Sequence, residues 1–345
     1  MPEAAQSYSL GSLGGCESLQ GIERHEAVHG GSCLKPAPPR NPAASIRQKL
    51  LNIATRQGED FGLILTRYAL ERLLFRLSQS RYRDQFVLKG AMLFQLWTNM
   101  PHRPTRDLDL LGNGDPSPEN CLAVFRELCA VAVPDDGLKF PIDAVTAERI
   151  KEDKEYEGVR VRLLARMANV RVPLQVDIGF GDALTTRPSV LDYPTLLTMP
   201  APQIQAYPME AVIAEKLEAM VHLGMLNSRM KDFFDVWFLA RTFSFEAAAL
   251  ADAIRATFER RGTPLDTEAF AALISELSTD SSKRTQWQAF LNKGKLIAPS
   301  NFADVAGAIL QFASFPLQAR SASNPEAESW SPSGPWLASS EEGSK

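Results

Sequence analysis

Cysteine is scarce in this sequence. Only Cys16, Cys33, Cys121 and Cys129 occur in 345 residues, which argues against a disulfide scaffold and fits a reducing, cytoplasmic compartment. No apolar run approaches the roughly 18 residues needed to cross a bilayer, so no membrane partner is expected. An excess of positive charge is missing too. Lys and Arg number 37 against 41 Asp and Glu, a formal charge of −4, so a nucleic-acid partner would have to be held by a local basic patch. The opening MPEAAQSYSLGSLGGCESLQG lacks the cationic and apolar regions of a secretory signal. What is present is ordinary for globular proteins, with 45% hydrophobic, 23% charged and 8% aromatic residues. The length suggests two packed units at about 150 residues per domain.

Residues 1–41 are rich in Gly, Ser and Pro and end in KPAPPRNP; without helical or alternating periodicity they read as a disordered extension. Residues 318–345 have the same composition and read as a disordered tail. Between them, 42–205 read as an α/β unit with N-terminal helices and 206–317 as an all-helical one. Ile46, Leu50 and Leu51, then Leu63, Tyr68, Leu70 and Leu74, recur at helical spacing. FVLKGAMLFQLW reads as strand, glycine turn and helix. RPTRDLDLLG alternates at period two, an amphipathic segment surrounds AVFRELCAV, and RVPLQVDIGFGD reads as another strand. From 208 onward the pattern is helical. The fold class expected is α+β, a mixed sheet with flanking helices followed by an all-helical C-terminal region.

On a strand, Asp107 and Asp109 project from one face about 6.6 to 7 Å apart while Leu108 and Leu110 enter the core. By the same alternation Asp177 shares a face with Gln175, opposite Leu174, Val176 and Ile178. Three hard oxygen ligands on two neighbouring strands suit Mg²⁺ or Mn²⁺. A pair of such ions can clamp the attacking and leaving oxygens of an in-line phosphoryl transfer. A solvated strand edge would show the same D-x-D. Lys89-Gly90-Ala91 lies at a strand-to-helix turn, where backbone N–H groups could meet a phosphate, although glycine at a turn often serves the backbone alone. Lys216, flanked by Val212, Ile213, Ala219 and Met220, either snorkels past the core or aims into a site. Asp235 lies in an almost wholly apolar helical stretch and needs a partner; Lys231 one turn back is the local choice, which would leave Asp232 and Arg229 at the surface.

Taken in order, FVLKGAMLFQLW…RPTRDLDL, LQVDIGFGD, YPMEAVIAEKLEAM and SRMKDFFDVWFL resemble the AbiEii/AbiGii toxin family, a branch of the DNA-polymerase-β-like nucleotidyltransferases, over roughly residues 42–316. The resemblance implies a minimal nucleotidyltransferase fold that transfers a nucleotide from an NTP. It also implies an RNA acceptor such as a tRNA 3′ end and the role of toxin beside a cognate antitoxin encoded nearby. Carried onto this chain, Asp107 and Asp109 match the metal-binding pair and Asp177 the third acid, as ligand or as base. Lys216 matches the lysine of A-E-K, and Arg229, Lys231, Asp232 and Asp235 match R-x-K-D-x-x-D. Lys89, Gly90, Ala91, Arg106, Lys216, Arg229 and Lys231 are the implied nucleotide-binding residues, and Asp232 and Asp235 join the implied catalytic set. Ala91 departs from the family's Gly-Gly or Gly-Ser turn and leaves that phosphate contact to backbone amides. A binding protein that keeps the fold without turnover, capturing RNA or a partner protein, and a metal-dependent phosphodiesterase are the alternatives.

Other motifs carry less. His25-Glu26-Ala27-Val28-His29 matches H-E-x-x-H, but Gly30 and Gly31 follow and no buried face would hold a helix. Cys16 and Cys33 have no standard zinc spacing, and Cys121 and Cys129 read as small core residues. In GVRVRLLARM, Arg160, Arg162 and Arg166 share a face if the segment is a strand. They are either an exposed amphipathic face or a basic stripe for RNA or triphosphate phosphates.

Overall fold

The computed structural model describes residues 42–98, 102–153, 156–182, 184–318 and 328–338, with side chains 151–157 outside the description. The H-E-x-x-H motif, Cys16, Cys33 and the expected extension 1–41 lie outside the described residues. Two helices come first, α1 (Pro42–Gln57) and α2 (Phe61–Ser78), the second capped by Asp60, whose carboxylate accepts from the Leu63 N–H at 2.9 Å. There follow β1 (Phe86–Lys89), α3 (Met92–Thr98), β2 (Asp107–Gly112), α4 (Pro118–Ala130), β3 (Thr146–Asp153), β4 (Tyr156–Met167), β5 (Val170–Phe180), β6 (Ser189–Asp192) and β7 (Gln203–Ala206). Then come α5 (Met209–Leu223), α6 (Met230–Thr242), β8 (Phe245–Glu246), α7 (Ala247–Arg260), α8 (Thr267–Thr279), α9 (Ser281–Gly294), α10 (Phe302–Gln318), β9 (Glu328–Trp330) and β10 (Trp336–Ala338). The class is α+β, as expected. No helix among the described residues is long and apolar enough to cross a membrane.

The seven strands β3-β4-β5-β2-β1-β7-β6 form one mixed sheet in which β2–β5 and β1–β7 are parallel and the other pairs antiparallel. Strands β3, β6 and β7 carry too little alternation to be seen in the sequence; pairing with neighbours makes them strands. One face of β4 and β5 enters the core through Val159, Val161, Leu163 and Ala165, and Val172, Leu174, Val176 and Ile178. α2 is buried almost all round, so Glu71, Arg72 and Arg76 must find partners inside the protein. Arg76 pairs with Asp136 at 2.6 Å, Glu71 accepts from the Leu196 N–H at 2.7 Å, and Arg72 donates to the Pro200 carbonyl at 2.9 Å. Cys121 is in the core and Cys129 half-buried, both free, with burial pushing each thiol up to about 11.

The expectation of a wholly disordered tail is corrected. Residues 328–338 form β9 and β10, which extend β8 into a three-stranded sheet. The cause is two tryptophans. Trp330 is buried, packs edge-on to Phe312 at 5.0 Å and donates its indole N–H to the Ala240 carbonyl at 2.6 Å. Trp336 stacks on Phe312 at 5.9 Å and donates to its carbonyl at 2.8 Å. Burying two large rings with their N–H groups satisfied outweighs the ordering entropy of a short segment. The remaining residues of the expected tail lie outside the described residues. Truncation after residue 318 is therefore expected to lower the melting temperature by several degrees, and Trp330→Ala to cost about 3 to 5 kcal/mol in chemical denaturation. An unchanged melting curve for both would contradict this docking.

Candidate active site

Alternation along β2 places the acids as the sequence suggests, with Leu108 and Leu110 buried while Asp107 and Asp109 face outward. The parallel register sets Asp109 opposite Asp177 and Asp107 opposite Gln175. All three carboxylates thus share one sheet face, but they are not equivalent. Arg160, opposite Asp177 on β4, holds both its oxygens in a bidentate pair at 2.8 Å, and the Gln175 amide adds a bond at 3.1 Å. Among the described residues no group of three His, Cys, Asp or Glu side chains is arranged to hold a metal ion. The donor set that stands ready for a divalent cation is Asp107 with Asp109. Burial pushes the Asp109 carboxyl up to about 6, and burial followed by the neighbouring Asp177 charge raises that of Asp107. Desolvated acids on one face form a site whose negative charge a cation would relieve.

Gly90 has φ +73, and a Cβ there would overlap the Asp109 carboxylate. The glycine of the K-G-A turn thus serves both the turn and the close approach of β1 to the acid. Lys89 pairs with Asp182 at 2.6 Å and Glu215 at 3.2 Å, and its ammonium lies 5.2 Å from the Tyr207 ring centroid. Tyr207 donates to Glu215 at 2.6 Å, and Arg261 holds Glu218 at 2.7 Å and reaches Glu215 and Asp182 at 3.9 Å. This cluster joins β1, the end of β5, α5 and α7. Nothing local in the sequence singles it out, since its members lie up to 172 residues apart.

Lys216 on α5 bridges the two acids of α6, at 2.8 Å to Asp232 and 2.8 Å to Asp235. The Arg103 guanidinium takes both Asp235 oxygens, at 2.9 and 3.0 Å, and His102 Nε2 lies 2.9 Å from one of them. His102 is itself stacked between Phe94 at 4.0 Å and Phe234 at 4.8 Å. Burial alone would raise the Asp235 pKa; Arg103 and Lys216, with the His102 bond, outweigh it and hold the carboxyl well below the usual range. Burial likewise opposes the charge of Lys216, but Asp232 and Asp235 raise its pKa above the ordinary lysine value. Burial lowers that of His102. The local pairing of Lys231 with Asp235 is corrected, because α5 and the segment before β2 supply closer partners. Asp232 is buried rather than at the surface, and Arg229 reaches it at 2.7 Å.

These parts open onto one cavity of about 1360 Å³. Its walls include Lys89, Gly90 and Ala91 from the turn, Asp107, Asp109, Asp177 and Arg160 from the sheet, and Lys216 and Asp232 from the helices. Arg106, Arg229 and Lys231 also reach it; Asp235 lies behind it. One wall escapes the sequence reading altogether. Gln286, Ala289, Phe290, Lys293 and Gly294 follow one stripe of α9 toward the cavity, a helical spacing indistinguishable in sequence from a core face. The segment carrying Arg229 is tied down by Lys283, buried and donating to the carbonyls of Met225 at 2.7 Å and Asn227 at 2.8 Å. Acids with raised pKa beside a cationic wall in a large cleft fit a polyanionic substrate carried with a divalent ion.

Two solved structures from Helicobacter pylori are similar in part. A candidate nucleotidyltransferase has 18% identity and a TM-score of 0.45 over 72% of this chain and 94% of its own. JHP933 has 17% identity and a TM-score of 0.42 over 72% and 91%. No curated protein sequence matches. Residues 72–308 match the family described as nucleotidyl transferase AbiEii toxin, type IV TA system, which spans most of the stretch that the sequence motifs indicate. The chain belongs to the AbiEii family of toxin–antitoxin nucleotidyltransferases.

Proposed function

We propose that the protein transfers a nucleotide from an NTP to an RNA 3′ end, with Mg²⁺ or Mn²⁺ held by Asp107 and Asp109, and that it acts as a toxin kept in check by a cognate antitoxin. The observation that carries this reading is the pair of burial-strained carboxylates on β2 facing a cavity whose other wall is cationic. Such a transfer depends mainly on positioning and charge neutralisation. The ion, when bound, would neutralise triphosphate charge and align the reacting oxygens. Arg106, Arg229 and Lys231 reach the cavity and are placed to take phosphate oxygens. Ala91 offers no hydroxyl, so contact at the turn falls to backbone amides. Asp177 acts through Arg160, holding the guanidinium at the edge of the acid pair. Asp235, behind the cavity, acts as a positioning residue that fixes Lys216 and α6, and Asp232 holds Lys216 and Arg229 at the cavity wall.

Incubation of the protein with each labelled NTP, Mg²⁺ and total bacterial RNA should place label at an RNA 3′ end. Release of free nucleotide without labelled RNA would favour phosphodiester hydrolysis instead. Asp109→Asn should abolish labelling while leaving the melting temperature without metal unchanged or higher, since the variant removes a buried charge. Full labelling by Asp109→Asn would remove the acid pair from the chemistry.

Lys216 gives a second test. If it is the counter-ion of Asp232 and Asp235, Lys216→Ala should lower stability by about 3 to 5 kcal/mol, because two buried carboxylates each lose a partner. A variant of native stability with a raised KM for NTP would instead assign Lys216 to the triphosphate.

A further inference from the structure

We propose that the open face of β4 and β5 is the docking surface for the phosphate backbone of a base-paired RNA stem, whose 3′ end it delivers to Asp107 and Asp109. The inference rests on the nucleotidyl-transfer reading and adds where, and in what form, the acceptor is held. Cross-strand partners share a face, so the register carries one surface outward from the acids: Asp177 faces Arg160, Gln175 faces Arg162, and Arg171 faces Arg166. An isolated bridge sets Lys139 opposite Arg166 on the other side of β4. Lys139, Arg166 and Arg171 therefore form a row of three exposed cations across three adjacent backbone segments.

Folding does not account for that row. Like charges directly opposite each other destabilise a sheet, and none of the three makes an ion pair among the described residues. Arg162, between the row and the acids, pairs among the described residues with exposed Glu148 at 2.6 Å, a contact of the kind that contributes little and yields readily to a phosphate. Cations that lack acids and sit on a rigid sheet are suited to position a nucleic-acid backbone.

The shape of the face selects a stem over a strand. Between the row and Asp177 the outward positions are Leu164, Pro173, Arg162 and Gln175, with no aromatic ring on which an unpaired base could stack. Single-stranded RNA is typically held by such rings, whereas a duplex is held by its phosphates and sugar hydroxyls. From Arg171 to Asp177 is six residues, about 20 Å of strand. That reach spans several base pairs of an A-form RNA stem.

The test compares the full chain with the double variant Arg166→Gln, Arg171→Gln by fluorescence anisotropy. One probe is an RNA hairpin with a stem of about seven base pairs and an unpaired 3′ end, and the other is a single-stranded oligonucleotide with that 3′ sequence. The variant should bind the hairpin about tenfold more weakly, with the salt slope reduced by about two, and the oligonucleotide with little change. Its melting temperature should be unchanged or higher, because the like-charged pair is gone. Equal hairpin affinity and slope in variant and parent would overturn the surface while leaving the transfer reading intact. Equal losses on both RNAs would overturn the assignment to a stem. A parent protein that binds neither RNA would overturn this surface and the RNA-acceptor reading together.

Discussion

The buried charge of Asp235 is the constraint on which the site depends. A carboxylate with no exposed side-chain area, in a helix that is otherwise apolar around it, is tolerable only if it is fully paired. Its partners arrive from two other parts of the chain, Lys216 from α5, and Arg103 with His102 from the segment immediately before β2. Meeting that one demand therefore docks the helical region against the strand that carries Asp107 and Asp109. Lys216 extends the connection to Asp232, and Arg229 closes it at the cavity. Asp235 lies behind the cavity, while Lys216 and Asp232 carry the network to its wall.

In front of this network the electrostatics change sign across the cavity. The sheet side offers Asp107 and Asp109, with carboxyls that burial has pushed upward, while Asp177 is neutralised by Arg160. The helical side offers Arg229 and Lys231, backed by the stripe of α9 with Phe290, Gln286 and Lys293. A second ionic cluster, Lys89 with Asp182 and Glu215, ties β1 and the end of β5 to α5, so the acid-bearing strands are clamped from both flanks. The acid pair faces the cationic wall across the cavity, and the exposed basic face of β4 and β5 continues outward from the acids on the sheet side.

Much of this was legible in the residues before the fold was known. Period-two alternation places Asp107, Asp109 and Asp177 on their faces, because strand geometry is local. The helices from α5 onward follow from 3.6-residue periodicity for the same reason. What was not legible is non-local. Asp235 reads as a partner for Lys231 by spacing, yet its partners lie 19 and more than 130 residues away. The pairing of Asp177 with Arg160 is equally hidden, because only the strand register brings the two opposite each other. The 328–338 strands sit in Gly-, Ser- and Pro-rich sequence that resembles a tail; only the fold brings Phe312, Phe315 and Ala240 to Trp330 and Trp336.

Asp235 and Arg103 join the helical region to the acid-bearing strand through a buried, coupled pair. A double-mutant cycle with Arg103→Ala and Asp235→Ala, read by chemical denaturation, addresses that claim most directly. The account predicts a large loss for each single variant and a coupling energy of about 2 to 3 kcal/mol, because the second substitution removes a charge that the first has stranded. Additive losses, with coupling within about 0.5 kcal/mol of zero, would contradict it.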